Sequence, residues 1–424
     1  MKNIAVLFPG QGSQYKGMGK KLYENYSVAR EVFEEAGDVL NSDIKKICFE
    51  GGREALAKTE NTQPAVLTVG IAAFKVLLNE TGVKPKCLAG HSLGEISALV
   101  GANGIKFSDA VKLVKLRSEY MQEAVPVSLG LMLAVKGIDA EFVREECSRI
   151  SQMDNVAVVS NYNSPLQTVV SGNKKAVETV GKRLQEKGAR VVPLDVSAPF
   201  HSPLMRPAAE KLREHLSSLS YNKLKYPVLS NVTAFPYIDE NNIPAMLASQ
   251  ITQPVRWVSS MKFLYQEEID TVIDIGPNDV LKRLMKENYA DIMAFSFDKD
   301  KEVIHNLIGA YRVENTPMYD QMKKIEFIER CMAIAVCTPN NNSGDEYQRE
   351  FVELYKSVKR LLLRLKAYNV EPEVEHMKQA VEMLRSSFLA KKTPQEEQKN
   401  RLERLFKGTD SMNLFSNDTP SVND

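Results

Sequence analysis

The sequence is short of several things that would sort it quickly. Its 55 Lys and Arg stand against 54 Asp and Glu, a formal net charge of only +1. Such a chain has no strong field to draw it to nucleic acid or to a membrane surface. Its five cysteines, Cys48, Cys87, Cys147, Cys331 and Cys337, are scattered and form no C-x-x-C pair. That pattern argues against a zinc site and a disulfide framework, and it fits a reducing compartment. No apolar run reaches the roughly 20 residues of a membrane span. The opening MKNIAVLFPGQGSQ is too weakly apolar for a signal peptide. We therefore expect a cytoplasmic protein. There is no internal repeat and no long low-complexity tract. Histidine is scarce: His91, His201, His215, His305 and His376 are all there are.

What is present is ordinary globular material, 43% hydrophobic and 26% charged over 424 residues. The length allows about two to four domains. Ile4–Phe8 is an apolar run closed by Pro9-Gly10, which reads as a buried strand and a turn. Segment 56–80 is expected to become helical after Pro64, since proline suits a first turn. Lys86–Ala89 reads as a second buried strand, and 95–102 and 108–124 as helices. Strands alternating with helices predict a parallel sheet covered on both faces.

From 128 the rhythm changes. Strand-like 131–135, helical 139–150, strands 156–161 and 167–171, helical 174–188 and strand 190–196 follow one another. This β-α-β-β-α-β order is the ferredoxin-like unit. The expected fold class is thus α/β, with a body over 1–127 and 198–310 and a ferredoxin-like subdomain inserted at 128–197. Beyond it, Phe351, Leu354, Tyr355, Val358, Leu361, Leu362 and Leu365 recur at helical spacing, as do Val374, Met377, Val381, Leu384 and Phe388. Residues 311–408 are expected to be a helical extension, and 409–424 a disordered tail.

The chemistry gathers at LAGHSLGEISALVGA (88–102). A strand, then Gly90-His91-Ser92-Leu93-Gly94, then a helix is the setting of a nucleophile elbow. The glycines allow a sharp turn, and the helix N-terminus can stabilise an oxyanion formed when Ser92 attacks a carbonyl. The motif is short, and alone it also arises by chance. Ser92 needs a base. His215, His305 and His376 lie in charged helical stretches, and His91 is too close along the chain to turn back. By elimination His201, in a proline-flanked turn, is the best base.

Eight stretches come in order: FPGQGSQYKGMG (8–19), NTQPAVL (61–67), GHSLGEISAL (90–99), VKLRSEYMQEAV (114–125), NYNSPLQTVVSG (161–172), SAPFHSPLM (197–205), QITQPVRW (250–257) and DIGPNDVL (274–281). Together they resemble the malonyl-CoA:acyl carrier protein transacylases, including the stand-alone enzymes that serve polyketide synthases in trans. The resemblance covers roughly 1–310 and implies the same body with an inserted ferredoxin-like subdomain. It implies Ser92 as the acylated nucleophile and His201 as the base. It implies an oxyanion hole from the backbone N–H groups of Gln11 and Leu93. It implies Arg117 as partner of the malonate carboxylate, and Gln250 as the residue whose carbonyl orients His201. Gln63 and Asn163 match polar positions of the cleft, and Phe200 matches a bulky residue that crowds out methyl-branched acyl groups. By spacing alone, Arg117 could equally be a solvated helix charge.

The implied partners are malonyl-CoA and the phosphopantetheine thiol of an acyl carrier protein, with no metal or other cofactor. The implied pathway is fatty acid or polyketide synthesis. Other readings remain: an acyl hydrolase that clears acylated carrier proteins, an ordinary α/β-hydrolase esterase, or a scaffold that docks a synthase through 311–408. The extension has no counterpart in typical stand-alone members of the family.

Overall fold

The computed structural model describes residues 3–126, 128–152, 155–196, 198–340, 347–367, 370, 372–409, 411 and 415, with side chains at 306, 308–323, 347–350 and 407 left undescribed. It divides into two compact units, 1–308 and 309–424.

In the first unit, β1 (Ile4–Phe8), β2 (Cys87–Gly90), β7 (Val228–Leu229), β8 (Thr271–Asp274) and β9 (Met293–Ser296) form a parallel sheet in the order β7-β2-β1-β8-β9. Every residue of β1, β2 and β8 is buried, as expected of strands covered on both faces. Alternate residues serve opposite faces. Ile4, Val6 and Phe8 join one apolar cluster, while Ala5 and Leu7 join another. β1 and β2 pair in register to Phe8 and Gly90, so the two chains leave the sheet side by side. That places the Gly10-Gln11 turn beside the Ser92 turn at the C-terminal edge of a parallel sheet, where such folds bind ligands.

The inserted segment holds β3 (Gly130–Lys136), β4 (Ala157–Ser164), β5 (Gln167–Asn173) and β6 (Arg190–Pro193), with helices Ala140–Ile150 and Lys174–Glu186 between them. Its antiparallel order, β4-β5-β3-β6, is that of the ferredoxin-like unit. β4 is irregular opposite β5 between Val159 and Asn161 and again between Tyr162 and Ser164. Such irregularities re-aim side chains. Here Val255 N–H donates to Ser160 O at 2.9 Å and Tyr162 N–H to Val255 O at 2.9 Å, tying the insert to the body.

Two local readings change. The buried helix expected to start after Pro64 spans Thr59–Thr81, with Pro64 inside it. Its first turn is secured before the proline, where Asn61 and Thr62 N–H both reach Lys58 O at 2.9 Å. The last strand of the insert ends at Pro193 rather than 196, which frees Leu194 and Val196 to line a cleft.

Helix Lys301–Cys337 opens in the first unit and continues in the second, which adds helices Tyr347–Ala367, Val374–Ala390 and Gln395–Gly408. The second unit has its own core, including Phe327, Leu365, Leu384, Phe388 and Phe406. Within the span expected to be a disordered tail, Phe415 is buried, its ring centroid 5.0 Å from that of Phe406. Residues 410, 412–414 and 416–424 of that span lie outside the described residues.

Candidate active site

β2 runs into Gly90 and His91, Ser92 turns the chain, and helix Leu93–Gly101 begins directly. Ser92 sits at φ 54° and ψ −108°, a conformation L residues avoid, which lifts its side chain off the turn. The turn has no room for side chains beside it. A Cβ on Gly90 would lie 1.9 Å from the Gly94 backbone, and one on Gly94 would lie 1.9 Å from Phe8 O. Asn231 clamps it from β7's end: Oδ1 accepts from Ser92 N–H at 2.7 Å, and Nδ2 donates to Gly90 O at 2.6 Å.

Ser92 Oγ and His201 Nε2 are 2.7 Å apart. His201 Nδ1 lies 2.8 Å from Gln250 O, a carbonyl that can only accept, so Nδ1 carries the proton and Nε2 is free to take one from Ser92. His201 itself holds φ 56°, in the turn before Pro203–Met205. Burial, and after it the Arg117 charge, depress its pKa to about 3, so the imidazole is neutral at physiological pH. His201 is oriented by a backbone carbonyl, not by the carboxylate an α/β-hydrolase triad uses.

Arg117, on helix Phe107–Glu123, is not a solvated charge: it is 2% exposed. Nη1 donates to Gln63 Oε1 at 2.9 Å, and Nη2 donates to Gln250 Oε1 at 3.0 Å and to Ser92 Oγ at 3.1 Å. Nε has no partner among the described residues. Burial lowers its pKa to about 10, opposed by the charge of Glu95, so it remains a cation.

These groups open on a cleft of ≈ 220 Å³ lined by Gln11, Gln63, Ser92, Leu93, Arg117, Asn163, Phe200 and His201. Gln250 is not among its lining residues but bonds Arg117, which is. Gln11 reaches Thr59 Oγ1 with its amide at 3.3 Å. Asn163 Oδ1 lies 2.8 Å from His91 Nε2, which gives His91 a partner other than Ser92. A larger hollow of ≈ 660 Å³, bordered by Tyr15, Lys16 and Lys299, contains neither Ser92 nor His201.

Asn231, Glu95 and Tyr237 escaped the sequence reading. Glu95 had one signal: it is the lone acid in the apolar helix LGEISALVG. Asn231 and Tyr237 had none, being distant in sequence and flanked by ordinary turn residues.

Residues 6–328 match the acyl transferase domain family. A malonyl CoA-acyl carrier protein transacylase of Bacillus subtilis is 37% identical over 398 residues, 94% of this chain and 99% of that protein, so the match extends into the second unit. One from Escherichia coli K12 is 40% identical over 287 residues, 68% of this chain and 93% of its own. The solved transacylase of Coxiella burnetii superposes with a TM-score of 0.70 at 36% identity, covering 73% of this chain and 97% of that one. A malonyl-transacylase in complex with a type II polyketide synthase acyl carrier protein gives 0.69 at 38% identity, covering 72% and 98%. The chain belongs to the acyl transferase family, within its malonyl CoA-acyl carrier protein transacylases.

Proposed function

We propose that this chain carries a malonyl group from malonyl-CoA to the phosphopantetheine thiol of an acyl carrier protein, by way of malonyl-Ser92. One observation supports this most: a nucleophile, its base and a buried cation meet at a single hydroxyl, with Ser92 Oγ 2.7 Å from His201 Nε2 and 3.1 Å from Arg117 Nη2.

The steps follow from the geometry. Ser92 gives its proton to His201 and attacks the thioester carbonyl. The N–H groups of Gln11 and Leu93 receive the oxyanion, the second aided by the positive end of its helix. The CoA thiolate leaves with the proton from His201. The carrier's thiol then gives a proton to His201, attacks the malonyl ester and regenerates Ser92. Arg117 holds the free carboxylate throughout, and its Nε–H, unpartnered among the described residues, is left for that use. A guanidinium suits a carboxylate better than an ammonium does. Shielded from water, the pair should favour malonyl over acetyl by about a hundredfold. Gln63 braces Arg117, while Asn163 and Phe200 shape the cleft.

The same reading sets the protein in a cytoplasm, in fatty acid or polyketide synthesis. Docking of a synthase through 311–408 belongs to it only as a further proposal. An acyl hydrolase would have no use for Arg117 in this position. The test is incubation with malonyl-CoA and holo carrier protein, against acetylated carrier protein alone. Malonyl thioester on the carrier, without release of acetate in the second reaction, is the expected result. The reverse pattern would select the hydrolase.

A further inference from the structure

Beneath the nucleophile lies a carboxyl group that the steps above leave unused. Glu95 is fully buried, two residues into the helix that starts at Leu93. The Tyr237 hydroxyl reaches its Oε1 at 2.5 Å, while Gln250 Nε2 at 2.6 Å and Asn231 N–H at 3.1 Å reach Oε2. An amide NH2 and a backbone N–H can only donate, and the hydroxyl is free to donate as well. Its Oε2 is therefore an acceptor of two bonds, and its Oε1 is paired with the Tyr237 hydroxyl. Burial holds its pKa above the ordinary carboxylate range, against the bonds from Tyr237, Gln250, Asn231 and Ser230.

The consequence passes through Gln250. Its Nε2 donates to Glu95 Oε2 at 2.6 Å and to Ser92 O at 3.0 Å, leaving Oε1 to accept from Arg117 Nη2 at 3.0 Å. Turned over, the amide would set its oxygen against the accepting Glu95 Oε2 and the Ser92 carbonyl, and its NH2 against a guanidinium. Every contact would then repel. Glu95 thus selects the one orientation of the amide in which Arg117 is held.

We propose that Glu95 is a positioning residue for acyl selection: by locking the Gln250 amide it fixes the Arg117 guanidinium where the malonyl carboxylate must bind. This rests on reading Arg117 as the partner of that carboxylate. Acetyl-CoA has no such carboxylate, so the relay should matter for one donor and hardly for the other.

The test compares Glu95→Ala and Glu95→Gln with wild type, using malonyl-CoA and acetyl-CoA in turn and recording thermal melting. Glu95→Ala should raise KM for malonyl-CoA at least about tenfold and change acetyl transfer less than about threefold. Glu95→Gln keeps an oxygen for Gln250 and Asn231 and can turn its NH2 to the Tyr237 hydroxyl, so it should restore malonyl KM to within about threefold of wild type. Equal losses for the two donors, or no loss in a folded Glu95→Ala protein, would overturn the proposal. If Glu95→Ala does not fold, Gln250→Met reads the same relay while keeping the backbone carbonyl that orients His201. It should lower the malonyl-to-acetyl preference about tenfold, and an unchanged preference would overturn the proposal. Were Arg117 not the partner of malonate, wild type itself would show no preference for malonyl, a result distinct from any of these.

Discussion

The two units bury polar side chains to different ends. In the first, Gln63, Glu95, Arg117, His201, Asn231 and Gln250 form one hydrogen-bonded set around Ser92. In the second, buried Lys391 donates from Nζ to Ala335 O and Thr338 O, both at 2.7 Å, and Ser387 Oγ donates to Ala335 O at 3.2 Å. Ala335 O lies in the last turn of helix Lys301–Cys337 and Thr338 O just beyond it, where carbonyls need partners from outside the helix. A buried cation is therefore not itself a mark of chemistry. Lys391 satisfies a helix end, whereas Arg117, beside the cleft and Ser92, keeps an N–H that has no partner among the described residues.

The contrast can be broken first at the base. His201→Ala should cut malonyl transfer by about 10⁴-fold or more, since the serine is a weak nucleophile without it. Thermal melting recorded alongside tells this from loss of fold. A variant within tenfold of wild type would remove His201 from the mechanism. Next comes the cation. Arg117→Ala should lower kcat/KM for malonyl-CoA about a hundredfold relative to acetyl-CoA, and Arg117→Lys should recover only part of it, because an ammonium cannot form the paired contact. Steady-state kinetics with both donors decides this.

The pH dependence sharpens the comparison further. With the His201 imidazole depressed to about 3, kcat/KM should stay level through about pH 6.5, where a free imidazole titrates. The group is neutral in the folded protein, while the unfolded chain takes up its proton once pH drops below about 6.5. Its effect on stability is therefore absent above that pH and increasingly unfavourable from there down toward about 3. A pH–rate profile with an inflection near 6.5 would contradict the first statement. The smallest effect is expected in the second unit. Lys391→Met should cost about 1–2 kcal/mol of that unit's stability through the unsatisfied carbonyls and leave malonyl transfer to Ser92 unchanged. Denaturant titration and acylation kinetics read the two separately.

Much of the catalytic half was legible because its signals are local. Gly90, Ser92 and Gly94 announce the elbow in five consecutive residues, and the β-α-β-β-α-β insert declares itself by changes of period. The resemblance carried Arg117, whose neighbours on the helix are charged and conceal its burial. The supporting groups were not legible. Asn231 and Tyr237 meet Ser92 and Glu95 only through the fold, across separations of 139 and 142 residues. Pro64 misled because proline usually marks a helix start, while here hydrogen bonds from Asn61 and Thr62 begin the helix before it. Phe415 stands in a polar stretch, and its burial against Phe406 and Phe327 comes from rings distant in the sequence.

The most direct measurement is the intact mass of the protein after brief exposure to malonyl-CoA without carrier protein, for wild type and Ser92→Ala. A single malonyl adduct on wild type, absent from the variant and discharged by holo carrier protein, is the predicted outcome. An adduct that persists on Ser92→Ala, or a wild-type protein that takes up no malonyl group, would contradict the account.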